Sequence, residues 1–408
     1  HPGIAERRLI QPAHLVLCGW YRPGTGFTRV LQALLPYFVR EYRITWVGVG
    51  YQGPPTDLAA GVRLLPTNLT GGDLMGAYAL RLNWSALAAD AILALNDLWY
   101  LKHYSRELAA IKGQVPMLGY LPLDGRLERA ELVDELEGYH TLVTYTECAA
   151  CDLRAALARW QSPIDVAVAG HGVDLGSFRP LLPIEQADSI TARMRMAQDY
   201  FGLDRPSFVV LNASRPDPRK RIDLTLAAFA RFAQGRADDV HLCLHHAIAY
   251  SPFVDGLKQQ VDALGIRERV IFWPPTPGPV DDEELNRLYN ACALGINTAL
   301  GEGFGLVSFE HAATGVPQVV PDHAAMAELW GAAAVRDPTQ PCYTDYSPLR
   351  MGEVDVIAVA RAFADLRDDP IHYSRAARAA RLHASSPAFD WRVVGERLCA
   401  LLRDSRGI

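Results

Sequence analysis

Short apolar runs alternate along this chain with longer stretches of helical periodicity. The runs are rich in Val, Ile and Leu and lack strict alternation with polar residues, which is typical of parallel strands buried on both faces. We predict strands at the following runs: His14–Cys18, Ile44–Val49, Ala91–Leu95, Met117–Leu121, Leu142–Tyr145, Val166–Ala169, Phe208–Leu211, Val240–Leu244, Val270–Trp273, Leu294–Ile296 and Gln318–Val320.

Amphipathic stretches between these runs predict helices. They include Thr25–Arg40, Ala192–Phe201, Ile222–Phe232, Pro252–Ala263, Glu283–Ala291 and Trp391–Leu402. Regular alternation of strand and helix predicts an α/β fold of doubly wound, Rossmann-like parallel sheets. Because 408 residues exceed one ordinary core, we predict two domains, residues 1–181 and 182–386, followed by a helix in residues 387–408. Pro180 and Pro183 mark the seam near Arg179–Ile184.

Composition and charge narrow the choice of partners. Half of the residues are hydrophobic, 21% are charged and the formal net charge is −6. A general affinity for nucleic acid or anionic membranes needs the opposite sign, so an anionic ligand must be held by local groups. No apolar run reaches the length of a membrane span, and His1-Pro2-Gly3 lacks a signal-like pattern. We expect a cytoplasmic protein and leave open a peripheral contact at the inner face of a membrane.

The cysteines indicate a reducing compartment. There are seven, an odd number, and several lie inside apolar runs, where a thiol packs as a small hydrophobe. Cys148 and Cys151 form one C-x-x-C pair without the second pair that a zinc site would need. Packing is the favoured interpretation, and a redox or metal role is the alternative.

The most informative segment is Gly301-Glu302-Gly303-Phe304-Gly305-Leu306-Val307-Ser308-Phe309-Glu310, which follows a predicted strand and opens a helix. Glycines let the backbone approach a ligand closely, and a helix N-terminus near Leu306 offers unpaired N–H groups and partial positive charge. This combination predicts a binding site for a diphosphate, with Gly303, Phe304, Gly305 and Leu306 against the ligand. The alternative is a glycine-rich turn without a ligand.

Two carboxylates flank this phosphate site, Glu302 in the loop and Glu310 inside the helix. Carboxylates beside a phosphate are useful only if they bind hydroxyl groups. We therefore expect Glu310 to accept hydrogen bonds from ribose hydroxyls and Glu302 to accept them from a sugar.

A cluster of basic residues follows the predicted strand Phe208–Leu211, in the sequence Ser214-Arg215-Pro216-Asp217-Pro218-Arg219-Lys220-Arg221. A helix N-terminus disfavours cations, so their crowding there indicates a bound anion. Arg215 and Lys220 are the best candidates to hold a diphosphate, the former through its fork and the latter as a point charge. We expect both to be exposed in the empty cleft. The alternative is a solvated basic turn.

Together these motifs resemble glycosyltransferase family 4, the retaining GT-B enzymes. Glu302 to Glu310 resembles the family's Glu-x7-Glu motif, and Arg215 and Lys220 resemble its diphosphate-holding pair. Further similar segments are His171-Gly172-Val173-Asp174 at the interdomain joint, Leu285–Tyr289 before the donor strand, and Phe389-Asp390-Trp391 at the start of a C-terminal helix that crosses back to the first domain. The resemblance covers most of the second half and, more thinly, the first.

The resemblance implies an acceptor-binding first domain and a donor-binding second domain. Gly24-Thr25-Gly26, after the first strand, is similar to the family's glycine loop near the donor phosphates. Many members carry a His after the strand equivalent to Met117–Leu121, where this chain has Pro122, Leu123 and Asp124. Asp124 is a candidate to act in its place, and the alternative is a residue of a surface loop.

Two other turns depart from the family or leave its preference open. His245-His246-Ala247 replaces a glycine-rich turn, and we expect packing or exposure for these histidines rather than donor contact. Base recognition is expected from the loop Pro274–Pro279, whose sequence indicates no choice between UDP and GDP.

The implied reaction moves a hexose from a nucleotide-diphosphate sugar to a hydroxyl of a glycan, lipid or small-molecule acceptor, with retention. Cations and backbone N–H groups would stabilise the leaving diphosphate, and no D-x-D loop is evident, so we expect neither a metal nor another cofactor. Two alternatives stay open: another GT-B enzyme, such as a sugar-nucleotide epimerase or a phosphorylase, and a non-catalytic nucleotide-sugar-binding subunit.

Overall fold

The computed structural model describes residues 12–68, 71–245, 252–275, 278 and 280–407. Each predicted apolar run coincides with a strand within two residues at either end. In the first half the strands are β1 Ala13–Trp20, β2 Tyr42–Val49, β3 Thr56–Ala59, β4 Val62–Pro66, β5 Ala91–Leu95, β6 Met117–Leu121, β7 Thr141–Thr144 and β8 Asp165–Val168.

These strands form one sheet in the order β3-β4-β2-β1-β5-β6-β7-β8. All neighbours run parallel except the β3–β4 pair, which the apolar pattern did not predict. The helices of this half are α1 Gly26–Phe38, α2 Ala77–Leu82, α3 Trp84–Leu87, α4 Leu98–Glu107 and α5 Glu147–Arg159. The central strands are buried on both faces, which explains their continuous apolar sequence.

The second half repeats the parallel architecture. Its strands are β9 Phe208–Asn212, β10 Val240–His245, β11 Val270–Trp273, β12 Leu294–Ile296, β13 Gln318–Pro321 and β14 Val335–Asp337, in the sheet order β11-β10-β9-β12-β13-β14. The helices that accompany them are α6 Ile190–Phe201, α7 Ile222–Ala233, α8 Pro252–Ala263, α9 Asp282–Ala291, α10 Leu306–Ala313 and α11 Ala324–Trp330. The prediction of two Rossmann-like parallel sheets is confirmed.

An antiparallel hairpin and three helices complete the chain. They are β15 Thr339–Thr344, β16 Ser347–Val354, α12 Val356–Asp368, α13 Pro370–Ala384 and α14 Trp391–Ser405. Helix α14 packs on α1 of the first sheet. The approach is so close that a Cβ atom on Gly395 would lie 2.5 Å from the Tyr37 ring. A larger residue at position 395 would separate the two helices.

The seam between the two sheets is fixed rather than loose. The backbone N–H of Arg179 donates to Asn286 Oδ1 at 3.1 Å, and that of Leu181 donates to Asn290 Oδ1 at 2.8 Å. Both asparagines lie on α9, so the stretch after the first sheet is held against the second. The exact domain bounds at residues 181 and 386 stay predictions.

The two sheets face each other in direct contact. The hairpin β15–β16 reaches the first half, where Arg126 and Arg350 form an antiparallel bridge. Leu300, Leu349 and Met351 pack into the apolar cluster of the first sheet. Because both sheets present the carboxyl ends of their strands here, the strand-to-helix loops of the two halves meet across one cleft.

Among the described residues, no helix is long and apolar enough to cross a membrane. The seven cysteines are all free thiols, and the C-x-x-C pair lies on α5, with Cys151 exposed.

Candidate active site

The glycine segment predicted to bind a diphosphate lies where the two sheets meet. It follows β12, and Gly305 precedes α10 with φ 82°, a backbone conformation that favours glycine. Gly301 and Gly303 allow two loops of the protein to approach each other closely, whereas the expected approach was that of a ligand. A Cβ atom would lie 1.8 Å from the Asp124 carbonyl oxygen at the first position, and 2.5 Å from Pro122 Cβ at the second. These two glycines let the donor-side loop pack on the loop after β6, whereas we expected Gly303 to admit a ligand.

Phe304 lies in the interior, although the motif placed it at the ligand. Its side chain is 3% exposed and stacks on Phe309 with ring centroids 4.8 Å apart. It also contacts the ring of His171 at 4.8 Å, at the interdomain joint. Any contribution of this residue to ligand binding is therefore limited to its backbone, because the aromatic ring is needed for packing.

Glu302 lies at the centre of a buried ion cluster. Its carboxylate accepts a short hydrogen bond from Lys220 Nζ and one from Asn297 Nδ2 at 3.1 Å. Arg219 Nη1 lies 3.5 Å from the other carboxylate oxygen and also donates to the Gly301 carbonyl. Burial by itself would raise the pKa of Glu302, but the charges of Lys220 and Arg219 outweigh it and hold that pKa at about 2. The carboxylate is thus ionised at any working pH.

Lys220 is buried, which corrects the expectation that it is exposed in the empty cleft. Its side chain is 12% exposed, because the ion pair with Glu302 satisfies its charge in place of a ligand. Burial lowers the pKa of Lys220, and the carboxylate opposes that effect. We take the ionised pair as the state at neutral pH because Glu302 faces two cations and an amide.

Arg215 differs from Lys220 in being 52% exposed, as expected. Its guanidinium lies 3.8 Å from an oxygen of Asp217, a distance at the edge of an ion pair. The two residues predicted to hold the diphosphate therefore differ in the ligand-free protein. Arg215 is available to an incoming anion, whereas Lys220 must first leave Glu302.

The turn that presents these cations is strained. Pro218–Lys220 form one turn of 3-10 helix, and Arg221 follows with φ 46°, where non-glycine residues are uncommon. Its guanidinium bonds to Asp223 on α7 and to Glu353 on β16. Because these bonds fix Arg221, they also determine the direction in which Lys220 enters the cleft.

Asp124 lies against this cluster, at the loop after β6. Arg219 Nε is 3.4 Å from its carboxylate. Burial raises its pKa, an effect that Arg219 opposes and Glu302 reinforces, while the Gly303 backbone favours the ionised form. The structure brings Asp124 next to Glu302 and Lys220, as the sequence analysis expected of a residue near the reacting sugar.

Glu310 is buried on α10, and its carboxylate forms an ion pair with a residue that the sequence motifs did not single out. Arg29, on α1 of the first sheet, approaches its carboxylate at 3.0 Å and Asp282 at 3.1 Å. The hydroxyl of Tyr289 also donates to Glu310, at 3.3 Å. Burial raises the pKa of Glu310, and the charge of Arg29 opposes that shift. Arg29 was missed because the pairing joins positions far apart in sequence.

A cavity of ≈ 680 Å³ opens beside this pair. Arg29, Glu310 and Asp282 line it together with Leu306 at the start of α10 and Asp174 at the joint. Its size suits a small polar molecule, and its walls come from both halves of the chain. Asp282 offers a second carboxylate there, which the sequence pattern showed only as part of a helix start.

The loop Gly24-Thr25-Gly26 enters α1 at the same edge of the first sheet. Gly24 has φ 83°, and a Cβ atom on Gly24 or Gly26 would meet nothing within 4 Å. Thr25 occupies the N-cap position, but its side chain does not cap the helix and instead donates to the Arg22 carbonyl. The first N–H groups of α1 thus lack a side-chain cap, which is compatible with an anion there.

Two expectations concern other turns. His245 is buried at the end of β10, with its ring 5.0 Å from that of Trp273, so packing is the observed state. His246 and Ala247 lie outside the described residues, as do three positions of the loop Pro274–Pro279, namely 276, 277 and 279. Within the part of the chain that the structure describes, no group of three or more His, Cys, Asp or Glu residues is arranged to hold a metal ion.

Comparison with known proteins agrees with this fold. Sucrose-phosphate synthase from Thermosynechococcus elongatus superposes with a TM-score of 0.72 over 97% of this chain and 98% of its own, at 16% identity. Anabaena HepE, solved in complex with UDP and glucose, superposes with a TM-score of 0.68 over 96% of this chain and 100% of its own, at 18% identity. The chain has the GT-B fold.

Sequence comparison finds similarity mainly in the second half of the chain. Residues 198–339 match the family described as Glycosyl transferases group 1. The D-inositol 3-phosphate glycosyltransferase of Segniliparus rotundus is 31% identical over 225 residues, 54% of this chain and 45% of the relative. That of Salinispora tropica is 31% identical over 260 residues, 61% of this chain and 48% of the relative. The chain thus matches about half the length of these curated relatives.

Proposed function

We propose that this protein transfers a hexose from a nucleoside-diphosphate sugar to a hydroxyl group of a glycan, lipid or small-molecule acceptor. Retention at the anomeric carbon and independence from metal ions are parts of the proposal, as the family resemblance implies. The observation that supports it best is the cluster of Lys220, Arg219 and Glu302 beside the N-terminus of α10. Two cations, a carboxylate suited to hydroxyl groups and a helix N-terminus without a side-chain cap suit a sugar joined to a diphosphate.

The donor side of the proposal rests on Glu302 and Glu310, on either side of the phosphate site. Glu310 faces a cavity large enough for a nucleoside, and its carboxylate suits the two hydroxyls of ribose. Structural neighbours have been solved with UDP and with UDP-glucose. Those ligands support a nucleoside-diphosphate donor here, without a choice of base.

The contribution of the protein to this reaction is electrostatic stabilisation of the leaving group. As the glycosidic bond breaks, negative charge grows on the leaving diphosphate, and fixed cations that face it bind the transition state more tightly than the ground state. Lys220 is neutralised by Glu302 in the ligand-free protein, so its charge is held in place before the donor arrives. Closure of the two halves over a bound donor would exclude water, which otherwise competes as the acceptor.

A panel of UDP- and GDP-sugars tests the proposal. A ligand present at 100 times its dissociation constant stabilises the folded state by about 2.7 kcal/mol, a shift visible in thermal melting. Donors that stabilise the protein are then incubated with it, and release of free nucleotide is measured with and without EDTA. We expect nucleotide release in both conditions and a product linkage of the same anomeric form as the donor.

The same assay separates the alternatives. A subunit that only binds nucleotide sugars would give the thermal shift without nucleotide release, and an epimerase would convert the donor without consuming it. Loss of activity in EDTA, restored by manganese, would contradict metal independence. A product of opposite anomeric form would contradict retention.

A further inference from the structure

Three polar side chains follow three neighbouring strands of the first sheet. Asp97 comes two residues after β5, Asp124 three residues after β6, and Tyr145 directly after β7. These strands are adjacent and parallel, so their carboxyl ends share one edge of the sheet, opposite the donor-side cluster. Neither Asp97 nor Tyr145 has a part in the donor site described above.

The Asp97 carboxylate has no bonding partner within the described part of the protein. The residue stands at the N-cap position of α4, but its side chain does not cap that helix. It accepts no hydrogen bond and forms no ion pair with any of the described residues. Burial raises the pKa of Asp97 to about 6, and the charge of Asp124 adds to that effect. A partly buried carboxylate without a partner is costly, which indicates a ligand-binding role.

Tyr145 provides an independent observation at the same edge. Its side chain is 4% exposed, and the hydroxyl is fully enclosed without a hydrogen-bond partner among the described residues. The ring is fixed by contacts with Tyr120 and His171, at centroid distances of 5.0 and 4.0 Å. A Cβ atom on Gly303 would lie 3.3 Å from the Tyr145 ring and 2.5 Å from Pro122 Cβ, so the ring lies beside the loop that carries Asp124. Burial raises the pKa of the Tyr145 phenol, and the charges of Asp97 and Asp124 add to that shift.

The charges at this edge favour hydroxyl groups over phosphate. Two of the three polar groups are carboxylates, which accept hydrogen bonds and repel anions. The nearest cation, Arg219, is already engaged by Asp124, Glu302 and the Gly301 carbonyl. A phosphate ester placed here would face two carboxylates, and the other cation that acts on Asp97, Arg215, is assigned to the donor diphosphate.

We propose that Asp97, Asp124 and Tyr145 bind the hydroxyl groups of a neutral polyhydroxylated acceptor, a sugar or cyclic polyol that is not phosphorylated. The inference rests on the proposed function, for which it names the acceptor class. The two carboxylates accept from neighbouring hydroxyls, and the Tyr145 hydroxyl, which both donates and accepts, satisfies a third. Asp97 acts in binding and orientation, and no covalent step is assigned to it.

Arg22 offers the opposite preference and makes the inference testable. It is an exposed cation after β1, at the glycine loop, and no ion pair of its guanidinium is seen within the described residues. It is not among the charges that act on Asp97, which are Asp124, Arg219 and Arg215. If the acceptor carried a phosphate, Arg22 would be its natural ligand.

Acceptors assayed in pairs, each neutral compound beside its phosphate ester, show which of the two classes the site prefers. The full chain, saturated with the donor sugar found in the thermal panel, is assayed with myo-inositol against inositol 3-phosphate and with glucose against glucose 6-phosphate. We expect kcat/KM for the better neutral compound to exceed that of its phosphate ester at least tenfold. Asp97→Asn should raise the acceptor KM about tenfold or more, and Tyr145→Phe about threefold to tenfold, with the donor Kd changed less than twofold.

Asp204→Asn is the matched control. Asp204 is an exposed carboxylate before β9, at the edge of the second sheet that lies away from the cleft. The acceptor KM of the Asp204→Asn variant should equal that of the wild type. A tenfold preference for the phosphate ester that is lost in Arg22→Gln would overturn the inference. An Asp97→Asn protein with unchanged acceptor KM would also overturn it.

Failure of the proposed function would look different. If the wild-type protein releases nucleotide from no donor, saturation-transfer NMR with myo-inositol and glucose, on wild type and Asp97→Asn, still measures binding at this edge. Signals that disappear in the variant would support the inference and leave only the transferase activity refuted. Signals that are absent in the wild type, or equal in the variant, would refute the neutral-acceptor site itself.

Discussion

Arg29 Nη2 lies 3.0 Å from Glu310 Oε1, and this contact joins the first sheet to the second across the cleft. The same guanidinium reaches Asp282 at 3.1 Å and lies over the Phe178 ring at 5.5 Å. In the ligand-free protein, the carboxylate expected to bind ribose is therefore already occupied. A donor must replace Arg29 or share Glu310 with it.

Replacing Arg29 by Gln separates these possibilities. Without the cation, Glu310 is left buried with Tyr289 as its remaining donor, so we expect the free energy of unfolding to fall by about 2–4 kcal/mol. A donor whose ribose fills the place of the guanidinium would restore the lost bonds, so the thermal shift caused by the donor should be larger in the variant than in wild type. A smaller shift would mean that Arg29 itself contacts the donor. Arg81→Gln, which removes an exposed arginine 3.7 Å from Glu107, is the control and should change neither quantity.

Lys220→Ala should lower kcat about 10²–10³-fold, because removing one fixed electrostatic partner typically has that effect. The structure adds a consequence for stability, since the ion pair with Glu302 is buried. We expect the variant to melt at lower temperature, because Glu302 loses one of its two cations. The double variant Lys220→Met/Glu302→Gln should recover part of that stability while staying inactive. A Lys220→Ala protein within about threefold of wild-type kcat would contradict the diphosphate role.

The two glutamates of the donor segment should respond differently to substitution. Glu310→Gln should mainly raise the donor KM, because ribose contacts change little during the reaction. Glu302→Gln should mainly lower kcat, because it removes a group beside the sugar that changes shape and releases Lys220. Steady-state kinetics over a range of donor concentrations gives both constants. Equal rises in KM with unchanged kcat would contradict this division of roles.

Asp97→Asn should stabilise the protein in a pH-dependent way. The pKa of Asp97 is raised from its ordinary value of 3.8 to about 6, so the folded state binds more protons than the unfolded state between these values. The wild type therefore loses stability as pH rises through this window, and the neutral amide does not. Above pH 7 we expect the free energy of unfolding of the variant to exceed that of the wild type by up to roughly 3 kcal/mol. This difference should vanish near pH 3. A difference that does not depend on pH would contradict the raised pKa.

The sequence by itself determined most of the strands that build the two sheets. A buried parallel strand needs a continuous apolar run, so runs such as Ala91–Leu95 and Met117–Leu121 were located to the residue. The hairpin β15–β16, the β3–β4 pair and the edge strand β14 were missed, because their partly exposed strands lack such a run. The donor segment from Glu302 to Glu310 was visible because glycines and carboxylates lie within ten residues.

Only the tertiary structure decided how these residues are engaged. Lys220 reads in the sequence as an exposed cation, yet it is buried, because Glu302, 82 residues away, supplies the opposite charge. Arg29 and Glu310 belong to different sheets, and Asp97 and Tyr145 meet at one sheet edge only because β5, β6 and β7 are neighbours. Local sequence specifies backbone conformation through nearby contacts, whereas burial and ion pairing depend on which distant residues the fold brings within a few ångströms.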